Sequence, residues 1–132
     1  MEFLLFYLNK INELCKENKI KLIITIYPPP TLLYTKEDKD YYKKISDYFG
    51  KWFKYREAVI KDMPYDEITL LEKAIFDFCQ KANIPLINLI PEFKSQHNWH
   101  EMFFEGDVHF SIKGHKFIAD KITDKIYEVL IN

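Results

Sequence analysis

The sequence predicts an α/β fold in which helices flank a parallel sheet of few strands. Two observations carry this reading. Two short apolar runs, residues 21–27 and 86–90, are rich in β-favouring side chains, and each is stopped by proline, at Pro28 and Pro91. Around them, apolar residues recur at helical spacing. Strands that alternate with helices and are apolar on both faces join through right-handed crossovers into a parallel, covered sheet.

Taken in order, the first helix spans 2–18, with Leu4, Leu8, Ile11 and Cys15 on one face and Asn9, Lys10, Asn12, Glu13 and Lys16 between them. No N-cap precedes it; the pattern is already running when the sequence opens. The first strand is Lys21-Leu22-Ile23-Ile24-Thr25-Ile26-Tyr27, ended by Pro28-Pro29-Pro30. Residues 31–65 are aromatic-rich, with a helix predicted at 39–53 and an irregular stretch up to Pro64. Asp66 is a good N-cap for a helix over 66–82, marked by Ile68, Leu71, Ile75, Phe78 and Cys79. Asn83-Ile84-Pro85 turns the chain into the second strand, 86–90, and a turn of helix is expected at 92–95. Ile118, Ala119, Ile122, Ile126, Val129 and Leu130 put one apolar stripe on a closing helix. No internal repeat or low-complexity linker is visible.

The 132 residues fit one compact domain, and 48% hydrophobic with 17% aromatic content is enough to fill its core. Nineteen basic and twenty acidic residues are spread along the chain, so no basic face points to nucleic acid. Cys15 and Cys79 each sit in a helical pattern among apolar neighbours and read as free thiols rather than a disulfide framework. The apolar opening Phe3-Leu4-Leu5-Phe6-Tyr7-Leu8 is too short to span a bilayer and lacks the flanks of a signal peptide. Localisation is therefore left open. Two strands are few for a sheet buried on both faces. Either another chain completes it by self-association, or these residues form the C-terminal part of a larger domain, the reading the uncapped first helix favours.

The densest chemistry lies in Glu105-Gly-Asp-Val-His-Phe-Ser-Ile-Lys-Gly-His115. This connection follows the last strand, and functional groups of open α/β sheets gather beyond strand C-termini. Asp107 and His109 are separated by Val108 alone, so on a turning backbone the carboxylate can take a bond from one imidazole nitrogen. The other nitrogen then faces outward as a base, the orienting half of a nucleophile–base–acid arrangement. The structural alternative is that Asp107 bonds only nearby amides in a turn while His109 fills a half-buried slot between Phe104 and Phe110.

Tyr27-Pro-Pro-Pro30, then Phe78 to Phe93, then Phe103-Phe-Glu-Gly-Asp-Val-His-Phe-Ser-Ile-Lys-Gly-His-Lys-Phe-Ile-Ala119, resembles the C-terminal half of SGNH (GDSL-like) hydrolases, nearest the branch of polysaccharide O-acetyltransferases. The resemblance covers residues 21 to 132, with 31–65 poorly matched. It implies a three-layer, flavodoxin-like α/β/α fold, with His109 as general base and Asp107 as its orienting acid. It also implies ester hydrolysis or acyl transfer by a Ser-His-Asp mechanism, an O-acylated carbohydrate as substrate class, and no cofactor. Phe110 stands where the family's block has tryptophan, and Ser111 where it has asparagine, both able to cap the last helix. Gly114 would let that helix pack closely, while His115 reads as packing or surface. One residue separates acid and base here, where the wider family commonly has two. The family's nucleophile block, Gly-Asp-Ser, is absent, as is any Gly-x-Asn-Asp stretch; the serines are Ser46, Ser95 and Ser111, and the glycines Gly50, Gly106 and Gly114. The chain thus carries a base and acid without a recognisable nucleophile.

Two other classes compete. His97, His100, His109 and Asp107 are of the right chemistry for zinc, and His97 and His100 share spacing on a helical face. The aromatics Tyr41, Tyr42, Tyr48, Phe49, Trp52, Phe53 and Tyr55 form either core or the face of a non-catalytic interaction domain.

Overall fold

The computed structural model describes residues 2–30, 33, 70–105 and 107–131. The helix predicted at 39–53, the cap at Asp66 and the aromatic face from Tyr41 to Tyr55 lie outside the described residues. The elements run α1 (Glu2–Glu17), β1 (Ile24–Ile26), α2 (Leu70–Ala82), β2 (Leu86–Asn88), α3 (Ile90–Lys94), a 3-10 turn (Trp99–Met102) and α4 (Ile112–Ile131). Helices alternate with a parallel pair of strands, which is α/β class. The chain divides into two compact units, one of Met1–Ile26 with Ile68–Asn88, the other of Tyr27–Glu67 with Leu89–Asn132.

In the first unit β1 pairs with β2 in parallel, with Ile24 opposite Leu86, Thr25 opposite Ile87 and Ile26 opposite Asn88. The ladder is shorter than the apolar runs, and β1 is half-buried along its length rather than covered on both faces. Phe78, Cys79 and Ile84 form the core, packed by Leu5 and Leu8 of α1, Ile75 of α2, and Ile24 and Leu86 of the strands. The inner face of α1 therefore runs Leu5, Leu8, Asn12, Cys15, and Ile11 is 46% exposed. Leu8 and Cys15 belong to both this stripe and the one predicted through Leu4 and Ile11. Helical spacing alone does not separate two stripes that share half their members, and the polar Asn12 disguised the one that packs.

Both helices of this unit end in the same way. After α1, the Ile20 amide donates to the Cys15 carbonyl (2.8 Å) and the Lys19 amide to Lys16 (3.2 Å); after α2, Ile84 donates to Cys79 (2.9 Å) and Asn83 to Gln80 (3.3 Å). Lys19 and Asn83 hold φ of 57° and 54°, the left-handed turn this hydrogen-bond pattern requires. So Cys15-x-x-x-Lys19-Ile20 and Cys79-x-x-x-Asn83-Ile84 are structural equivalents, a local repetition that no internal repeat in the sequence had announced.

In the second unit the chain leaves extended backbone at Leu89 (φ −98°, ψ 0°), and α3 starts at Ile90 with Pro91 in its first turn. Proline's missing N–H is an orphan there and its fixed φ suits a helix start, so the proline read as a strand stop also opens the helix. The predicted strand loses Leu89 and Ile90 as a result. Leu33, Leu89, Phe93, Trp99, Met102 and Phe103 are buried. Phe93 is central, with ring centroids 4.9 Å from Phe117, 5.7 Å from Phe110 and 6.2 Å from Phe103. On α4, Ala119 of the predicted stripe is exposed, while Phe117, which lies outside that stripe, packs against Phe93. Lys125 of α4 bonds Glu92 of α3 at 2.7 Å.

Candidate functional site in the Asp107–His109 loop

Residues 103–105 and 107–110 are held by local bonds as the two sides of a small hairpin. Phe103 and Phe110 make an antiparallel bridge. The Phe104 amide donates to the His109 carbonyl (3.0 Å), and the Asp107 amide to the Phe104 carbonyl (3.0 Å), closing a turn. Phe110 anchors one end in the aromatic cluster, its ring 4.7 Å from Phe103 and 5.2 Å from Tyr27.

This hairpin brings Asp107 and His109 together: Oδ1 of Asp107 lies 2.7 Å from Nδ1 of His109. The same oxygen accepts from the amides of Val108 and His109. The two sequence readings, an aspartate serving a turn and an aspartate orienting a histidine, are thus met at one atom. The backbone bonds fix the carboxylate, and the fixed carboxylate fixes the ring. With Asp107 ionised, Nδ1 carries the shared proton and neutral imidazole keeps its lone pair on Nε2. His109 does not fill a slot between Phe104 and Phe110; its side chain is 77% exposed, against 31% for Asp107. The ring therefore offers Nε2 to solvent.

Desolvation works against the charged form of Asp107, but the bonds from His109 and from the Val108 and His109 amides outweigh it and hold the carboxyl below its ordinary 3.8. A depressed folded-state value means stability that is present above the ordinary aspartate range and lost as pH falls through the folded value. A carbon-13 titration of the Asp107 carboxyl should show a midpoint below 3.8 that moves up in His109→Ala, short of full recovery because both amides remain. An unchanged midpoint in that variant would remove the imidazole as a cause.

The start of α4 is built onto the same frame. The Ser111 hydroxyl accepts from the Gly114 amide (3.2 Å) and donates to the Glu101 carbonyl (2.7 Å), while the Ser111 amide donates to Met102 (2.9 Å). It is an N-cap, as its place before the apolar periodicity predicted. Lys113 bonds the Glu101 side chain, which Asn98 also reaches, and the Lys113 bond keeps that carboxyl below its ordinary value. Gly114 is where no side chain fits: a Cβ would lie 2.0 Å from the Met102 carbonyl oxygen. His115 is exposed, its ring edge near Phe110.

Of the three serines, Ser95 donates to the Glu92 carbonyl (2.8 Å) and Ser111 caps α4, so both described hydroxyls serve local structure; Ser46 lies outside the described residues. His97 and His100 are exposed, in and beside the 3-10 turn. Among the described residues no three His, Cys, Asp or Glu side chains are grouped to hold a metal ion. Both cysteines are free. The Glu101 carbonyl, which takes the Ser111 hydroxyl, had no signal in the sequence, since any residue provides a carbonyl.

Compared with family models, curated proteins and solved structures, the chain matches none.

Proposed function

We propose that this chain is the base-bearing part of an SGNH (GDSL-like) hydrolase-like domain, whose complete site performs ester hydrolysis or O-acyl transfer by a Ser-His-Asp mechanism. The observation that carries the reading is the 2.7 Å bond between Asp107 Oδ1 and His109 Nδ1 with Nε2 open to solvent. In that mechanism a serine hydroxyl gives its proton to Nε2 as its oxygen attacks the ester carbonyl. The imidazolium, steadied by Asp107, returns the proton to the leaving alcohol. Water, or an acceptor hydroxyl in acyl transfer, repeats the sequence on the acyl-enzyme. The finer fold is a three-layer, flavodoxin-like sheet to which β1 and β2 contribute, and the substrate an O-acylated carbohydrate. Both rest on the resemblance of residues 21–30, 78–93 and 103–119.

The test is to express the chain joined to the coding sequence upstream of Met1. The reading requires an in-frame Gly-Asp-Ser block and turnover of an acetyl ester. His109→Ala should lower that turnover by about ten-thousandfold or more. No such block, or turnover indifferent to His109→Ala, overturns it.

A second reading, a non-catalytic interaction domain, is favoured by the outer face of α1, where Phe3, Phe6, Tyr7 and Leu14 are each more than half exposed. It predicts association that survives His109→Ala unchanged, without ester turnover in the joined protein.

A further inference from the structure

The first unit holds a cleft of ≈ 580 Å³ whose lining includes no residue of the dyad hairpin. It opens between the C-terminal ends of α1 and α2, where the two equivalent turns at Lys19 and Asn83 lead into the strands. Its volume falls within the range of small-molecule sites. Both cysteines line it, together with Ile20 and Ile84, the residues that close the two turns.

Asn12 is the unusual member. It is the one buried polar residue among those described, 8% exposed, and it stands on the packed face of α1 where helical spacing calls for an apolar side chain. Among the described residues its carboxamide has no hydrogen-bond partner, and Asn12 is one of the residues that line the cleft. Its polar atoms are not sealed off, since Glu92 Oε2 is the one fully buried side-chain polar atom without a partner among the described residues, so the amide is left to bond what enters the cleft. A leucine here would extend the Leu5–Leu8 stripe with no polar group to satisfy. The amide is an acceptor and a two-proton donor facing a space of ligand size.

We infer that this cleft binds a small uncharged ligand that pairs a carboxamide or lactam group with a compact apolar body. A primary or secondary amide matches Asn12 donor to acceptor and acceptor to donor. The apolar body meets Ile20, Leu22, Cys79 and Ile84, which line the cleft. Charge is disfavoured from both directions. The partial negative charge of two helix C-termini and the cations Lys16 and Lys21 at the lining offset one another, so an ion of either sign would give up hydration without net return. Cys79 adds no charge: burial pushes its thiol above its ordinary 9.0, so it stays protonated.

Benzamide, benzoate and toluene are the probes, titrated into the nitrogen-15-labelled full chain. Benzamide should shift the Asn12 side-chain amide and the Ile20 and Ile84 backbone amides along one saturable curve. Benzoate and toluene should bind at least about tenfold more weakly, and Asn12→Leu should weaken benzamide by about the same factor. That variant replaces an unbonded amide by an apolar group of similar volume and keeps the packed face intact. In the wild-type chain, saturating benzamide should also slow alkylation of Cys15 by iodoacetate. The inference fails if benzamide gives no saturable shift, if toluene or benzoate binds as well, if Asn12→Leu binds benzamide unchanged, or if Cys15 is not protected.

Discussion

Gly114→Ala is expected to destabilise the chain by about 3 kcal/mol and to lower Tm by roughly 10 °C. In most exposed helix positions the same change stabilises, by about 1 kcal/mol, because alanine gives up less backbone freedom than glycine. Here geometry reverses the sign. The new Cβ would lie 2.0 Å from the Met102 carbonyl oxygen, 2.9 Å from its carbon and 3.1 Å from the Phe110 ring. The carbonyl has nowhere to retreat: it accepts the Ser111 amide, and Met102 closes a 3-10 turn whose Trp99 is buried. If α4 backs away instead, Ser111 loses its grip on Glu101 and Phe110 leaves the aromatic cluster. Either movement disturbs the hairpin that holds Asp107 and His109. Thermal and urea denaturation of the two proteins decide the matter, and a variant as stable as the parent would show that the helix start is softer than its bonds imply.

Which parts of this were legible in the sequence follows from how locally each is determined. Asp107 and His109 meet because they are two residues apart on a turn, and spacing alone is enough to suggest that. Ser111 as a cap needs only a hydroxyl just before an apolar periodicity. Gly114 was read as a close approach, but its partner, a main-chain carbonyl at Met102, leaves no trace in side-chain identity. The end of β2 was misplaced because Pro91 suits both the end of a strand and the first turn of a helix, and only the backbone of Leu89 distinguishes them. Asn12 was counted among the polar residues of α1 because polarity is evidence for an outer face, and a buried amide contradicts the pattern by which faces are found. Gly114 and Asn12 break the local pattern for reasons of close approach and of a lined space. A local rule fails at such positions when something else is being satisfied.

The chain by itself is expected to turn over p-nitrophenyl acetate no faster than its own His109→Ala variant, although the dyad geometry is in place. A histidine oriented by aspartate accelerates acyl transfer by taking a proton from a hydroxyl held in line with the carbonyl, and the effect of the parts is far from additive. The base without the nucleophile leaves nearly all of the roughly million-fold triad effect unrealised. The hydroxyl of Ser111, two residues from His109, is committed at both ends, to the Gly114 amide and the Glu101 carbonyl. Freeing it would cost the helix cap, about 1 kcal/mol. Ser95 is likewise bound to Glu92. Oxyanion donors matter as much, since each is worth about a hundred- to a thousandfold. The glycine- and asparagine-bearing block that would supply them in the proposed SGNH family has no counterpart in this sequence. The assay places wild type, His109→Ala and Ser111→Ala side by side, with Ser111→Ala losing stability but no activity. Turnover that vanishes in both variants would mean that Ser111 leaves its cap to act as nucleophile and that the dyad belongs to a complete enzyme.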